Sequence, residues 1–210
     1  MKREKLVSGE YYHIFNRGVE KRSIFKDRKD MERFLKCIVE FNRREPIGSL
    51  YENYFYEKKF GNRVSKKLTD IVCYCLNPNH YHFILKQSTD QGISKFMHKV
   101  MLGYTKYFNQ KYDRVGPLFQ GPYRLVHIKS NEQLLHAGVY INLNFKVHGA
   151  RDNFFRSSWS EYIHENNPKE LCEKGIILKQ FKNPVEYKKF AEYTLPSIKD
   201  KKEMAKIVLE

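Results

Sequence analysis

Two apolar runs, residues 71–76 (IVCYCL) and 80–86 (HYHFILK), follow one another with only Asn77-Pro78-Asn79 between them. Both are short and rich in β-branched and aromatic residues, and the break between them has the chemistry of a turn, so they read as two strands of a hairpin. The flanking segments supply what such a hairpin must pack against. Residues 11–17 (YYHIFNR) read as an earlier strand, ended by Gly18. Met31, Phe34, Leu35, Ile38, Val39 and Phe41 then recur at helical spacing, with Asp30 near the start and Pro46 ending the pattern.

Residues 46–70 mix Gly, Asn, aromatic residues and five basic ones (Lys58, Lys59, Arg63, Lys66, Lys67) and read as an excursion, expected as a further hairpin. After the central hairpin, positions 93, 96, 97, 100, 101, 104 and 108 trace one stripe of a long amphipathic helix reaching about Tyr112. Gly116, Pro117, Gly121 and Pro122 break the chain, residues 123–128 (YRLVHI) read as another strand, and Ser130 with Gln133 forms a capping box for a helix expected to end near Gly149. The order strand, helix, strand, strand, helix, strand, helix is the split βαβ pattern. The expected fold is therefore α+β, a ferredoxin-like (RRM-like) antiparallel sheet with helices on one face, over residues 1–150. Residues 151–210 are expected as a partly helical C-terminal extension.

Charge narrows the function. Of 39 Lys plus Arg and 24 Asp plus Glu, residues 1–150 hold 27 and 14, so +13 of the formal +15 lies there. A basic domain carrying 15 Tyr and 15 Phe in the chain suits a nucleic-acid partner, whose phosphates release counterions on binding and whose bases stack; a solubilising surface is the alternative. The longest apolar run, 71–76, is far short of the roughly 20 residues of a membrane span. The N-terminus leads into no apolar signal region, and a cytoplasmic protein with no membrane partner is expected. Cys37, Cys73, Cys75 and Cys172 lack the paired spacing of a zinc site or a disulfide framework and read as reduced, structural residues.

His80 and His82 stand two apart on a strand, so both point to one face, about 6 to 7 Å apart along it. Two imidazoles so placed can converge on a divalent ion, without identifying which. Equally, His80 can cap the turn and His82 pack beneath an aromatic ring. In the last helix of the basic domain, Leu135, Val139 and Leu143 form a stripe suited to packing on the sheet, and His136, Tyr140 and Asn144 form a second stripe about 100° around the helix. Tyr140 and Asn144 emerge side by side, one turn apart. A tyrosine at the rim of the core is the plain alternative, Tyr107 is a rival, and Tyr104 falls on the apolar stripe of the long helix.

Together these segments resemble the REP-associated tyrosine transposases of the single-tyrosine HUH superfamily. Residues 11–35 are similar to that family's first strand and helix, YCLNPNHYHFIL (74–85) to its strand with the His-hydrophobic-His motif, GPLFQGPYR (116–124) to the loop after its long helix, and YINLNFKVHG (140–149) to the stretch opening with its catalytic tyrosine. SSWSEY (157–162) and residues 176–190 are similar to its C-terminal portion.

The resemblance implies that Tyr140 is the nucleophile and that His80, His82 and Asn144 hold a divalent cation, Mg²⁺ or Mn²⁺. The activity implied is a metal-dependent single-strand DNA endonuclease and strand transferase forming a 5′-phosphotyrosine intermediate at hairpin-bearing DNA. Arg17, Arg22, Lys106, Lys111 and Arg124 are candidate DNA-backbone contacts; a solvated surface charge is the alternative for each. The excursion and the extension are candidates for reading the hairpin or its flank. Where the family usually has Pro after the metal-binding Asn, this chain has Phe145, and Asn142 replaces a common His, so a less sharply broken helix is expected. The resemblance allows a homodimer or a monomer, and the long C-terminal segment favours the monomer. A non-catalytic nucleic-acid-binding module with the same fold is the second reading. A metal-independent phosphoesterase built on paired His-x-Ser/Thr motifs ranks last, since no such pair is present.

Overall fold

A computed structural model of the chain describes residues 5–62, 65–147, 154–164 and 170–207, with side chains to residue 200. The strands are β1 (Tyr11–Arg17), β2 (Thr69–Asn77), β3 (His80–Gln87), β4 (Arg124–Ile128) and the two-residue β5 (Arg156–Ser157). They form one antiparallel sheet in the order β4-β1-β3-β2-β5. The expected hairpin is thus the centre of the sheet, and the split βαβ order is present with β5 added at the β2 edge.

The helices α1 (Arg28–Phe41) and α3 (Gly92–Lys111) pack together on one face. Phe34 of α1 meets Tyr81 and Phe83 of β3 at ring separations of 5.4 and 6.4 Å and Tyr104 of α3 at 4.9 Å. Tyr104 is fully buried, with its hydroxyl donating to the Ile24 carbonyl at 2.5 Å. The start of α1 is fixed by a reciprocal capping box between Asp27 and Asp30.

Helices on one face describes α1 and α3, but α4 (Asn131–Asn142) crosses the opposite face, that of His13 and His82. The sequence carried a sign of this: strands buried on both faces lose their polar alternation, and IVCYCL is an unbroken apolar run with β2 buried at nearly every position. Of the stripe Leu135, Val139 and Leu143, Leu135 packs against the main core as expected but the other two do not. Val139 and Leu143 pack instead against Ala191 and Leu195 of α8 (Pro184–Ile207), because α8 covers the outer side of α4, while Leu134 and Ile141 join the main core.

The expected continuous helix to Gly149 also breaks early. Leu143 leaves helical geometry at φ −108°, ψ 17°, and Asn144–Val147 forms a separate turn, α5, so the break needs no proline; residues 148–150 lie outside those described.

The excursion at 46–70 is a helix rather than a hairpin, α2 (Leu50–Phe60). Its cause is legible in Ser49-x-x-Glu52: the Ser49 hydroxyl accepts from the Glu52 N–H at 3.1 Å and the Glu52 carboxylate accepts from the Ser49 N–H at 2.6 Å.

C-terminal to β5 come α6 (Trp159–Ile163) and α7 (Gly175–Leu178), which with α8 bring Tyr162, Cys172, Ile177 and Tyr187 into the main core. A division at 150/151 falls outside the described residues. All four cysteines are buried and unpaired, and among the described residues no helix is long and apolar enough to cross a membrane.

Candidate functional site

Strand register builds the site row by row. Antiparallel pairing places Arg17, His80 and Asn77 side by side across β1, β3 and β2, and places Arg124, Phe15, His82 and Cys75 in the next row. Directly opposed residues share a face, so the two histidines and two of the candidate arginines emerge together. Beyond β1, the bridge Gly18–Phe119 ties the 116–124 loop to the strand end. A side chain at Gly18 would have its Cβ 2.2 Å from the Arg22 carbonyl oxygen, so the chain can turn there only without one.

α4 lowers Tyr140 onto this face. Its ring stands edge-on to His82 at 5.4 Å and to His13 at 6.0 Å, all within one chain. The early break after Asn142 then turns Asn144 inward: it is fully buried, with Oδ1 3.2 Å from Nε2 of His80. Burial pushes the Tyr140 hydroxyl above the usual phenol range, and the Asn144 side chain opposes that shift.

Both histidines have their inner nitrogens occupied. Nδ1 of His80 lies 2.6 Å from the Asn79 carbonyl oxygen Oδ1, which can only accept, so Nδ1 donates and Nε2 carries the lone pair. Nδ1 of His82 lies 2.8 Å from Nε2 of His13. Desolvation drives His13 down to about 4, so it is neutral at neutral pH and can accept from His82. His13 also stacks on His82 at 5.1 Å, and Phe15 lies against both rings, 5.6 Å from His82 and 4.9 Å from His13.

Asn77 completes the cluster. It is 2% exposed, and its Nδ2 donates to Oδ1 of Asn144 at 2.8 Å and lies 3.1 Å from Nε2 of His80. One buried amide atom, Oδ1 of Asn77, has no hydrogen-bond partner. Such atoms are rare in folded proteins and mark places where something else belongs. Among the described residues no group of three His, Cys, Asp or Glu side chains is placed to hold a metal ion. The donor set here is two imidazoles and an amide oxygen, which suits a first-row divalent ion such as Mn²⁺ and suits Mg²⁺ only with oxygen from water or phosphate added.

The cluster opens into a cleft of about 380 Å³ lined by Arg17, Lys21, Arg124, Gln120, Phe15 and Tyr140, among others, with no acidic side chain. Arg17 is held by a hydrogen bond from Nε to the Gln120 side chain. The other candidate cations lie elsewhere. Arg22 is paired with Glu20 at 2.9 Å, Lys106 is exposed on α3, and Lys111 is bound to Asp27 and Asp30 at 2.7 Å on the α1/α3 layer. A larger cleft of about 690 Å³ opens at the far end of the histidine face, but Asp70 and Glu173 offset Lys86 and Lys179 there, so it lacks the uniform charge an anionic strand requires.

Sequence reasoning missed His13, Asn77 and Lys21. His13 shares the parity of Tyr11 and Phe15 on β1, but its approach to His82 depends on inter-strand register. Asn77 has the local chemistry of a turn residue, and only its pairing opposite His80 puts it in the cluster.

No curated protein is a significant match to the chain. Among solved structures, the fold is similar to that of a REP-associated tyrosine transposase bound to a REP hairpin, with a TM-score of 0.54 at 15% identity over 81% of this chain and 93% of that one. The sequence model for IS200-like transposases matches residues 6–144, from the segment before β1 through the helix that carries Tyr140 to Asn144 itself. That span is most of the chain and contains every element of the histidine and tyrosine cluster, and the protein belongs to the IS200-like transposase family.

Proposed function

We propose that this protein is a single-strand DNA endonuclease and strand transferase that acts at hairpin-bearing DNA through Tyr140. The observation that carries the reading is the meeting of Tyr140, His82, His80 and Asn144 at the mouth of a cleft lined by basic side chains. A divalent ion, Mg²⁺ or Mn²⁺, held by His80, His82 and Asn144 would polarise the scissile phosphate and offset the charge developing on it. Arg17, Lys21 and Arg124 bind backbone phosphates and set a positive field in the cleft. The Asn144 side chain favours the phenolate of Tyr140 against the burial that disfavours it. Phe15 offers a ring on which an unpaired base can stack.

The hydroxyl of Tyr140 loses its proton as its oxygen attacks phosphorus. A tyrosine–phosphate bond forms, the bond to the leaving 3′ oxygen breaks, and the products are a 5′-phosphotyrosine and a free 3′-OH. The phosphoester is conserved in the covalent intermediate, so attack by a 3′-OH rejoins strands without nucleotide hydrolysis. A monomer able to cut in cis, with Tyr140 and both histidines on one chain, is part of this reading.

The test is to incubate the protein with Mn²⁺ and a labelled single-stranded hairpin oligonucleotide and to look for a protein–DNA adduct that survives denaturant. Wild type should form it, while Tyr140→Phe and chelated samples should not. DNA binding that ignores chelator and survives loss of both histidines, with no adduct, would identify a non-catalytic binding module instead.

A further inference from the structure

Asn77 sits at the end of β2, directly opposite His80 in the sheet. Three polar atoms, from Asn77, His80 and Asn144, form a triangle with sides of 2.8, 3.1 and 3.2 Å. Ligands about 2.1 Å from an ion and at right angles to one another stand about 3.0 Å apart, which is the edge of the octahedron that Mg²⁺ demands. The triangle therefore has the dimensions of one face of such a site. Two of its corners, Nε2 of His80 and Oδ1 of Asn144, present lone pairs. The third, Nδ2 of Asn77, donates to Oδ1 of Asn144, lies close to Nε2 of His80 and also donates to Sγ of Cys75 at 3.7 Å, while the Oδ1 of the same amide is buried with no partner.

We propose that Asn77 is a further ligand of the divalent ion, its side-chain amide turning about the Cβ–Cγ bond to bring Oδ1 to the corner now held by Nδ2. The inference rests on the reading that His80, His82 and Asn144 hold that ion, and it adds an oxygen to a nitrogen-rich set. An amide's nitrogen and oxygen occupy nearly equivalent positions, so the turn needs no backbone movement. It exchanges the donations of Nδ2 to Asn144 and Cys75 for one coordination bond, gives the orphaned oxygen a partner and carries the amide nitrogen to the buried position the oxygen leaves. The amide N–H groups thus hold the place of the cation between turnovers and keep Asn144 aimed at His80.

The experiment measures Mn²⁺ binding to the full chain without DNA, by calorimetry and by electron paramagnetic resonance of free Mn²⁺. Asn77→Leu, which removes the oxygen, should weaken binding by about tenfold or more. Asn77→Asp keeps the size and offers oxygen in either orientation, so it should bind Mn²⁺ more tightly than wild type and more tightly than Gln120→Glu, which adds the same charge to the cleft. Binding by Asn77→Leu equal to wild type overturns the proposal. Weaker binding by Asn77→Asp does so too, since it assigns Asn77 to N–H donation alone, as does equal tightening by Gln120→Glu, which assigns the effect to charge. If Asn77→Leu fails to fold, the direction of the near-isosteric Asn77→Asp decides. A chain with both His80 and His82 changed to Ala that still binds Mn²⁺ as wild type does would fail the underlying metal reading, whatever the Asn77 variants do.

Discussion

Nε2 of His80 and Oδ1 of Asn144 lie 3.2 Å apart although 64 residues separate them along the chain. The strand sets one and a break in a helix sets the other. The contact exists because α4 stops at Asn142 and the next residues turn toward the sheet, so the site depends on how that helix ends as much as on which residues it carries.

His13 meets His82 through a contact between ring nitrogens as well as by stacking. Changing His13 to Phe keeps an aromatic ring in the stack but removes the ring nitrogen that meets Nδ1 of His82. Mn²⁺ affinity should fall by about 10- to 100-fold, with binding of the hairpin oligonucleotide in chelator unchanged. Calorimetric titration and a filter-binding assay read the two effects separately.

Asn142 ties the tyrosine helix to the C-terminal segment. Fully buried, it donates to the Tyr187 hydroxyl at 3.1 Å and accepts from the Ser158 hydroxyl at 2.6 Å. Asn142→Leu leaves both partners buried without it, and urea unfolding should show a loss of about 1–3 kcal/mol. A smaller loss would mean that α8 is held chiefly by Val139, Leu143 and their apolar neighbours.

Asp30 is 0% exposed and accepts from the Tyr107 and Tyr112 hydroxyls, from Lys111 and from the Lys26 N–H. Removing a buried charge partner strands the groups that answered it, so Asp30→Ala should cost about 3–5 kcal/mol in equilibrium unfolding. Adduct formation at temperatures where the variant stays folded should persist, because the cluster lies on the face away from Tyr140.

Burial pushes the thiols up, Cys37 to about 11 and Cys75 to about 12, with Cys73 and Cys172 also raised. A raised pKa holds the proton, so at pH 8 almost no thiolate is present in the folded protein and alkylation should be undetectable over an hour. All four should react once denaturant is added, as counted by mass spectrometry. Rapid labelling of any one in the native state would show that its layer opens.

The sequence alone carried the elements whose causes are local. The turn at Asn77-Pro78-Asn79, the stripe from Ile93, the parity of His80 and His82 and the Ser49-x-x-Glu52 cap all act within a few residues. What lay beyond it were relations between distant segments. Register brought Arg17 and Arg124 beside the histidines, whereas Lys111 was claimed by Asp27 and Asp30. The side of the sheet on which α4 lands gave Val139 and Leu143 to α8 and Tyr140 to His82. Each of these depends on which surfaces compete for the same apolar or charged partner, and only the packed chain decides that competition.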